Sequence, residues 1–576
     1  MFKSFQMTKG KFVAWFLSST LITTLFIILL YIVFPHPGYL RRMLFAAFMV
    51  FVPLFLWFWL TDFVKLRDRW NKRITLLSQP FKQWKRIVLA SLALLAFIGL
   101  WLWQPVSARW IAPLFLVFLF ILYGQTIKDT VRDARPEKQF LFLALVFGLL
   151  VVIIAPPLHL FDEPEHYARA FSTARFSYAH GGLPHEFQTF AERIHRTNVP
   201  PFATSNPITD MLREPANWCF SDTSVSIKNA NYNPLGYIPA ATGIWVSWGL
   251  NLNILASMYL ARFFGLLSYI FIVYFAIKIM PVYKRTFFIF ALMPLGLQTA
   301  ATITNDSITI AGCMLFVAII ARIIYQPEKA SGAQIALLVA AAGIILITKY
   351  VYAPMLLAFF FIPRDKLFDN NKRYALFITS AAVFFVGLLF SSFWINLVDL
   401  METTGDFRGP YGINNDEQIA FILSNPRAIA SMIYGTFIRQ IPHLRMQSSA
   451  VNSTPLAFDR TAMLVPTLFI TYFALDAKKA SLPKLGQATV SLGIVALMIV
   501  LCILPLYITF TPVGAPYAQG VQGRYLLPII AFFPLLFTRF RDGHQPMSKR
   551  ESMTVPFTVS FILLYLMTAK MIFLFL

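Results

Sequence analysis

"QFLFLALVFGLLVVIIAPPLHLFDEPEHYARA", residues 139–170, joins a run that is apolar from Phe140 to Pro157 to a knot of charge. As a helix the run near 139–157 is long enough to cross roughly 30 Å of hydrocarbon. Just past Pro156 and Pro157 come Asp162, Glu163, Glu165 and His166. Similar apolar windows recur along the chain, for example "FVAWFLSSTLITTLFIILLYIVF" at 12–34. Only 13% of the 576 residues are charged and 58% are hydrophobic, against about 25% charged in a soluble protein. The fold class is therefore an all-α polytopic membrane protein. The first run is too long for a signal peptide, lacks a small-residue cleavage site and is followed by further spans, so it reads as a retained helix.

The formal net charge of +23 raises the question of nucleic acid. The basic residues sit instead in short loops between spans, as the positive-inside bias requires, and no basic stripe with interleaved aromatics occurs outside them. Six stretches carry this charge, at 65–86, 128–138, 281–285, 363–373, 476–484 and 539–550. All six fall on the cytoplasmic side if the amino terminus is inside and about 15 helices span. These lie near 12–34, 43–62, 87–104, 110–127, 139–157, 256–279, 286–303, 307–325, 333–349, 350–363, 374–397, 461–476, 487–510, 525–539 and 555–575. Segment 350–363 is short for a span. Segment 234–252 is apolar but reads as an interfacial or re-entrant piece, because counting it would turn the later basic loops outward.

This arrangement divides the chain into an additional four-helix region at 1–138, a core at 139–545 and a last helix within 546–576. It gathers three polar segments on the extracytoplasmic face: 158–255, 398–460 and 511–524. Loops longer than about 15 residues are usually functional or disordered, and the aromatic content of the first argues for order. Segment 411–436 reads as an amphipathic helix broken at Asn425–Pro426. Cys219, Cys313 and Cys502 form no pattern. No internal repeat is visible, which weighs against a secondary transporter.

Carboxylates at the edge of a bilayer are costly unless solvated, paired or used. Asp162 before Pro164, with Glu165 in the third position, also fits a helix cap. The functional alternative is a general base beside a lipid-borne phosphate, with fixed cations receiving the leaving group. Those cations are Arg524 in "GVQGRYLLP", flanked by Gln522 and Tyr525, and Lys349 in "ITKYVYAP". Snorkelling to the interface is the plain account of Lys349; an outer arginine runs against the charge bias. Asp306 falls in the turn after 286–303 and either caps the next span or joins the site. His166 invites a divalent metal, but no second histidine stands at a ligand spacing. Asp406, Arg408 and Asp416 read as solvated loop charges.

Five ordered stretches carry a resemblance: "FDEPEHYARA", "NYNPLGYIPAATG", "ALMPLGLQTAATITNDSI", "NNDEQIAFILSNPRAIASMIYGTF" and "GVQGRYLLP". From about residue 139 to 540 the chain resembles the bacterial membrane family called domain of unknown function 2142, which looks like a branch of the GT-C glycosyltransferases. The resemblance implies a GT-C-like helical bundle with large extracytoplasmic loops and a polyprenyl-phosphate-linked sugar donor. It also implies a glycan or lipid-linked acceptor and inverting displacement. On this sequence it places the base on Asp162 with Glu163 beside it, the second acid on Asp306, and the arginine–tyrosine pair on Arg524 and Tyr525. Glu165, His166, Lys349 and Gln522 are expected to bind substrate. No cofactor is implied. The competing expectations are a flippase or transporter of lipid-linked saccharides, or a polymerase of them.

Overall fold

The computed structural model describes residues 135–155, 157–158, 162–176, 182–183, 187, 225–226, 233–367, parts of 374–387, 413–448, 464–477, 485–536 and 553–575. The four expected helices before residue 135, most of 374–397, Cys219, Asp406 and Arg408 lie outside them.

Within the described residues the protein is helical, apart from a two-residue antiparallel pairing of Gly182–Leu183 (β1) with Val225–Ser226 (β2). Helices α1 (Pro136–Ile154) and α2 (Glu163–Ala174) come first. A 3-10 turn, Pro234–Tyr237, leads into α3 (Ile238–Gly249) and α4 (Ile254–Ile279). Then follow α5 (Lys284–Ala291), α6 (Pro294–Ala300), α7 (Asp306–Tyr325) and α8 (Gly332–Thr348). A long 3-10 helix, Tyr350–Phe361, precedes α9 (Arg364–Leu367). The remainder is α10 (Asn415–Ser424), α11 (Arg427–Ser448), α12 (Leu464–Ala477) and α13 (Leu485–Thr509), then the 3-10 turn Gly523–Leu526, α14 (Leu527–Leu536) and α15 (Thr554–Phe575).

Among the described residues four helices are long and apolar enough to cross a membrane: Pro136–Ile154, Ile254–Ile279, Asp306–Tyr325 and Gly486–Thr509. Helix α7 is the axis of the bundle. Nearly all of its side chains are buried, against α4, α6, α8 and α14. Segment 234–252 forms the 3-10 turn and a helix of 12 residues, about 18 Å long at 1.5 Å per residue. It folds back on α4 so closely that a Cβ at Gly243 would collide with the Leu260 carbonyl.

The span expected at 286–303 is broken. Met293 is extended (φ −56°, ψ 134°) because the residue before a proline is excluded from the helical region, and α6 starts afresh at Pro294. The break frees a carbonyl in apolar surroundings, and Tyr269 supplies the missing donor, its hydroxyl bonding the Ala291 oxygen at 2.9 Å. At the other end of this segment Asp476 of α12 caps α5, accepting from Thr286 N and Oγ1 and from the Arg285 guanidinium.

The short segment 350–363 gains length by changing helix type. Residues Tyr350–Phe361 rise about 2.0 Å each as a 3-10 helix, so 12 of them cover about as much depth as the 17 of α8 at about 1.5 Å. The two run antiparallel, with Lys349 at the apex and Ala330 N bonded to Lys366 O at 2.7 Å at the base. Segment 411–436 breaks at Asn425–Pro426 as its sequence indicates, with Ile419, Leu423 and Tyr434 exposed.

Candidate functional site

The end of α1, the starts of α2, α4 and α7, the apex at Lys349 and the Gly523–Leu526 turn converge on one end of the bundle. Asp476 and the α8–3-10 base lie at the ends of the same segments that point away from it. Here the two neighbouring acids of "FDEPEH" part company.

Glu163 turns inward. It is fully buried, and Arg262 of α4 grips it with two bonds of 2.6 Å, Nε to Oε1 and Nη2 to Oε2. Leu158 N (2.9 Å) and Ile303 N (3.3 Å) donate to the remaining lone pairs. Arg262 Nη1 donates in turn to the Val152 and Ala155 carbonyls that the end of α1 leaves open. The expected catalytic part for Glu163 has no room here, since every direction around its carboxylate is taken by donors that the fold itself needs.

Asp162 turns outward. Its backbone is left-handed (φ 57°, ψ 30°) and its side chain makes no cap to α2, so the helix-cap reading of this residue does not hold. The carboxylate is 56% exposed, yet Oδ2 accepts from Arg524 Nη2 at 2.8 Å across 362 residues of chain. Gln522 Nε2 stands at 3.5 Å from the same oxygen. Glu165 follows, half-buried, in the same first turn.

Behind Asp162 lies Asp306, which does not cap α7 with its side chain; the Thr304 hydroxyl accepts from Asp306 N instead. One Asp306 oxygen forms an ion pair with Lys349, and the other lies 2.7 Å from Arg524 Nε. Arg524 is 2% exposed, so Lys349 and Arg524 present two fixed cations to a single interior carboxylate and one surface carboxylate. The Tyr525 ring packs beneath both, its centroid 4.5 Å from Lys349 Nζ and 5.4 Å from the Arg524 guanidinium carbon, while its carbonyl accepts from Tyr352 at 2.8 Å. Asn305 ties the turn to the apex by donating to the Thr348 carbonyl.

His166 sits against this group, fully enclosed. Its Nδ1 and the Tyr237 hydroxyl share a hydrogen bond of 2.6 Å, and Thr304 Oγ1 is 3.4 Å from Nε2. Burial, then the charges of Arg524 and Lys349, hold its pKa down at about 3 against the opposing pull of Asp306 and Asp162. The folded protein thus keeps His166 neutral, whereas the unfolded chain takes up a proton below about 6.5. Its contribution to stability is complete above that pH and is lost as pH falls toward 3. Melting temperature in detergent is expected to drop over this interval, and His166→Gln to make the drop shallower; an identical pH profile in the variant would contradict the assignment.

Tyr237 and Thr304 also wall a small cleft with Gly236, Ala240, Ala261 and Gly265. Among the described residues no group of three or more His, Cys, Asp or Glu is placed to hold a metal ion. Two members of the site, Arg262 and Tyr237, have no role assigned to them from the sequence, although Arg262 stands out as a charge near one end of an apolar span. Arg262 was legible in principle, because an arginine two turns inside an apolar span requires a counter-ion. Tyr237 carried no signal beyond its place in "NPLGYIPA".

Apolar spans around a charged cluster at one end define a multi-pass helical membrane protein. The family described as Predicted membrane protein (DUF2142) matches residues 145–533, roughly two thirds of the chain, and the chain belongs to that family. No curated protein and no solved structure matches it.

Proposed function

We propose that the protein is a membrane glycosyltransferase of GT-C type, moving a sugar from a polyprenyl phosphate to a cell-envelope glycan on the extracytoplasmic face. The observation that carries this reading is the meeting of a solvent-facing carboxylate, Asp162, with a buried guanidinium, Arg524, at 2.8 Å. A glycosyl transfer to a hydroxyl needs a base for the incoming oxygen and a cation for the leaving phosphate within one site, and in an inverting displacement the two part to flank the anomeric carbon from opposite faces. Asp162 accepts the acceptor's proton as its oxygen forms a bond to the anomeric carbon. The bond from that carbon to the phosphate oxygen breaks, and its electron pair leaves on the phosphate. Arg524 and Lys349 balance the charge that develops there, from positions fixed before the reaction starts. Asp306 holds the two cations together and keeps them from repelling each other. Glu163 and Arg262 act only by anchoring the segment that bears Asp162.

Asp162→Asn keeps the size of the side chain and removes the base. At normal protein level it is expected to lower transfer about 10²-fold or more. Mass spectrometry of envelope polysaccharide from cells carrying the variant reads the outcome, and an unchanged glycan removes the assignment. One added sugar per acceptor supports transfer, and a ladder of lengths supports polymerisation instead.

A further inference from the structure

We infer that the Asp162–Arg524 ion pair is a latch opened by a phosphate anion, so that the carboxylate is released only when the cation site is filled. This rests on the reading of Arg524 and Lys349 as the seat of the leaving phosphate.

The two carboxylates at the cations are not equivalent. Asp306 is 5% exposed and has one oxygen at each cation. Asp162 is 56% exposed and reaches Arg524 through Oδ2 alone, with only the long Gln522 contact beside it. Its backbone also lies in the left-handed region, which side chains with a Cβ adopt at a cost. Asp162 is therefore the exchangeable member. An ion pair with one solvated partner is weak, whereas a phosphate offers a guanidinium two parallel acceptors and leaves a third for an ammonium. A phosphate entering from the exposed side takes the place of Oδ2 on Arg524. Like charge then drives the Asp162 carboxylate off, and its lone pairs become available to a hydroxyl. The base is occupied while the site is empty and free when the donor is bound.

The same chemistry reaches the site from a lipid headgroup or from free phosphate. Full-length protein in phosphatidylcholine nanodiscs is titrated with inorganic phosphate in one arm; in the other, the discs carry polyprenyl phosphate. Carbodiimide labelling of Asp162, read by peptide mass spectrometry, is expected to rise with filling of the site, and the arm that acts at the lower amount identifies the source. Labelling that is unmoved in both arms overturns the latch. Calorimetry supplies a second reading: Asp162→Asn is expected to bind inorganic phosphate up to about fivefold more tightly, since the competing carboxylate is gone. Equal or weaker binding overturns the inference as well. Chains that respond to phosphate but transfer no sugar would retain the latch and lose the transferase, and active chains with unresponsive labelling would do the reverse.

Discussion

Arg524→Gln is expected to be the most damaging single change to activity, lowering sugar transfer on the order of 10³-fold. Among the described residues Arg524 is the cation that touches both Asp162 and Asp306. Its loss removes the group that receives the leaving phosphate and leaves Asp306 buried with half its counter-charge. Stripping a partner from a buried ion pair costs about 3–5 kcal/mol, so the melting temperature should fall too. Arg524→Lys restores the charge but not the planar fork that spans two oxygens, and should recover stability better than turnover. Turnover of a polyprenyl-phosphate-linked sugar and melting in nanodiscs separate the two effects. A stable Arg524→Gln protein with undiminished turnover would leave the proposed chemistry without its electrophilic partner.

The largest effect on folding is expected at Arg262→Met. That variant strands a fully buried Glu163 among apolar helices and frees the Val152 and Ala155 carbonyls together. The expected loss is about 3–5 kcal/mol. Glu163→Gln in the same chain should return part of it, because a neutral amide oxygen still accepts from Leu158 N or Ile303 N without needing a cation. A double-mutant cycle read by thermal melts gives the coupling directly. If the double variant melts below Arg262→Met alone, the carboxylate is held by something other than this arginine.

These two arginines mark where the sequence was readable and where it was not. Charged residues are scarce in this chain, so Asp162, Asp306, Lys349 and Arg524 stood out, and loop parity alone gathered them at one end. What the string of letters could not divide was the work of Asp162 and Glu163. They are adjacent and chemically alike. Their fates diverge because one left-handed residue turns the first carboxylate to solvent and the second toward an arginine 99 positions away. The cap readings of Asp162 and Asp306 failed for a related reason. Local spacing fits a cap, but distant cations bind the same oxygens more strongly than a backbone amide does. The break at Pro294 is written in "ALMPLG", but hydropathy does not register a missing amide hydrogen. Helix type at 350–361 has no comparable signature, since composition sets how apolar a segment is but not its rise per residue.

That last segment makes the charge at the apex sensitive to pitch. The base of the hairpin is pinned where Ala330 meets Lys366, so a change in the length of Tyr350–Phe361 strains the contacts at the apex, where Lys349 stands. Rewinding these 12 residues into an α-helix would shorten them by about 6 Å. Such a contraction would haul the ammonium away from Asp306 and toward the hydrocarbon, as a drawn-in tether lowers a float. The reach of one lysine is thus set by how tightly a neighbouring coil is wound.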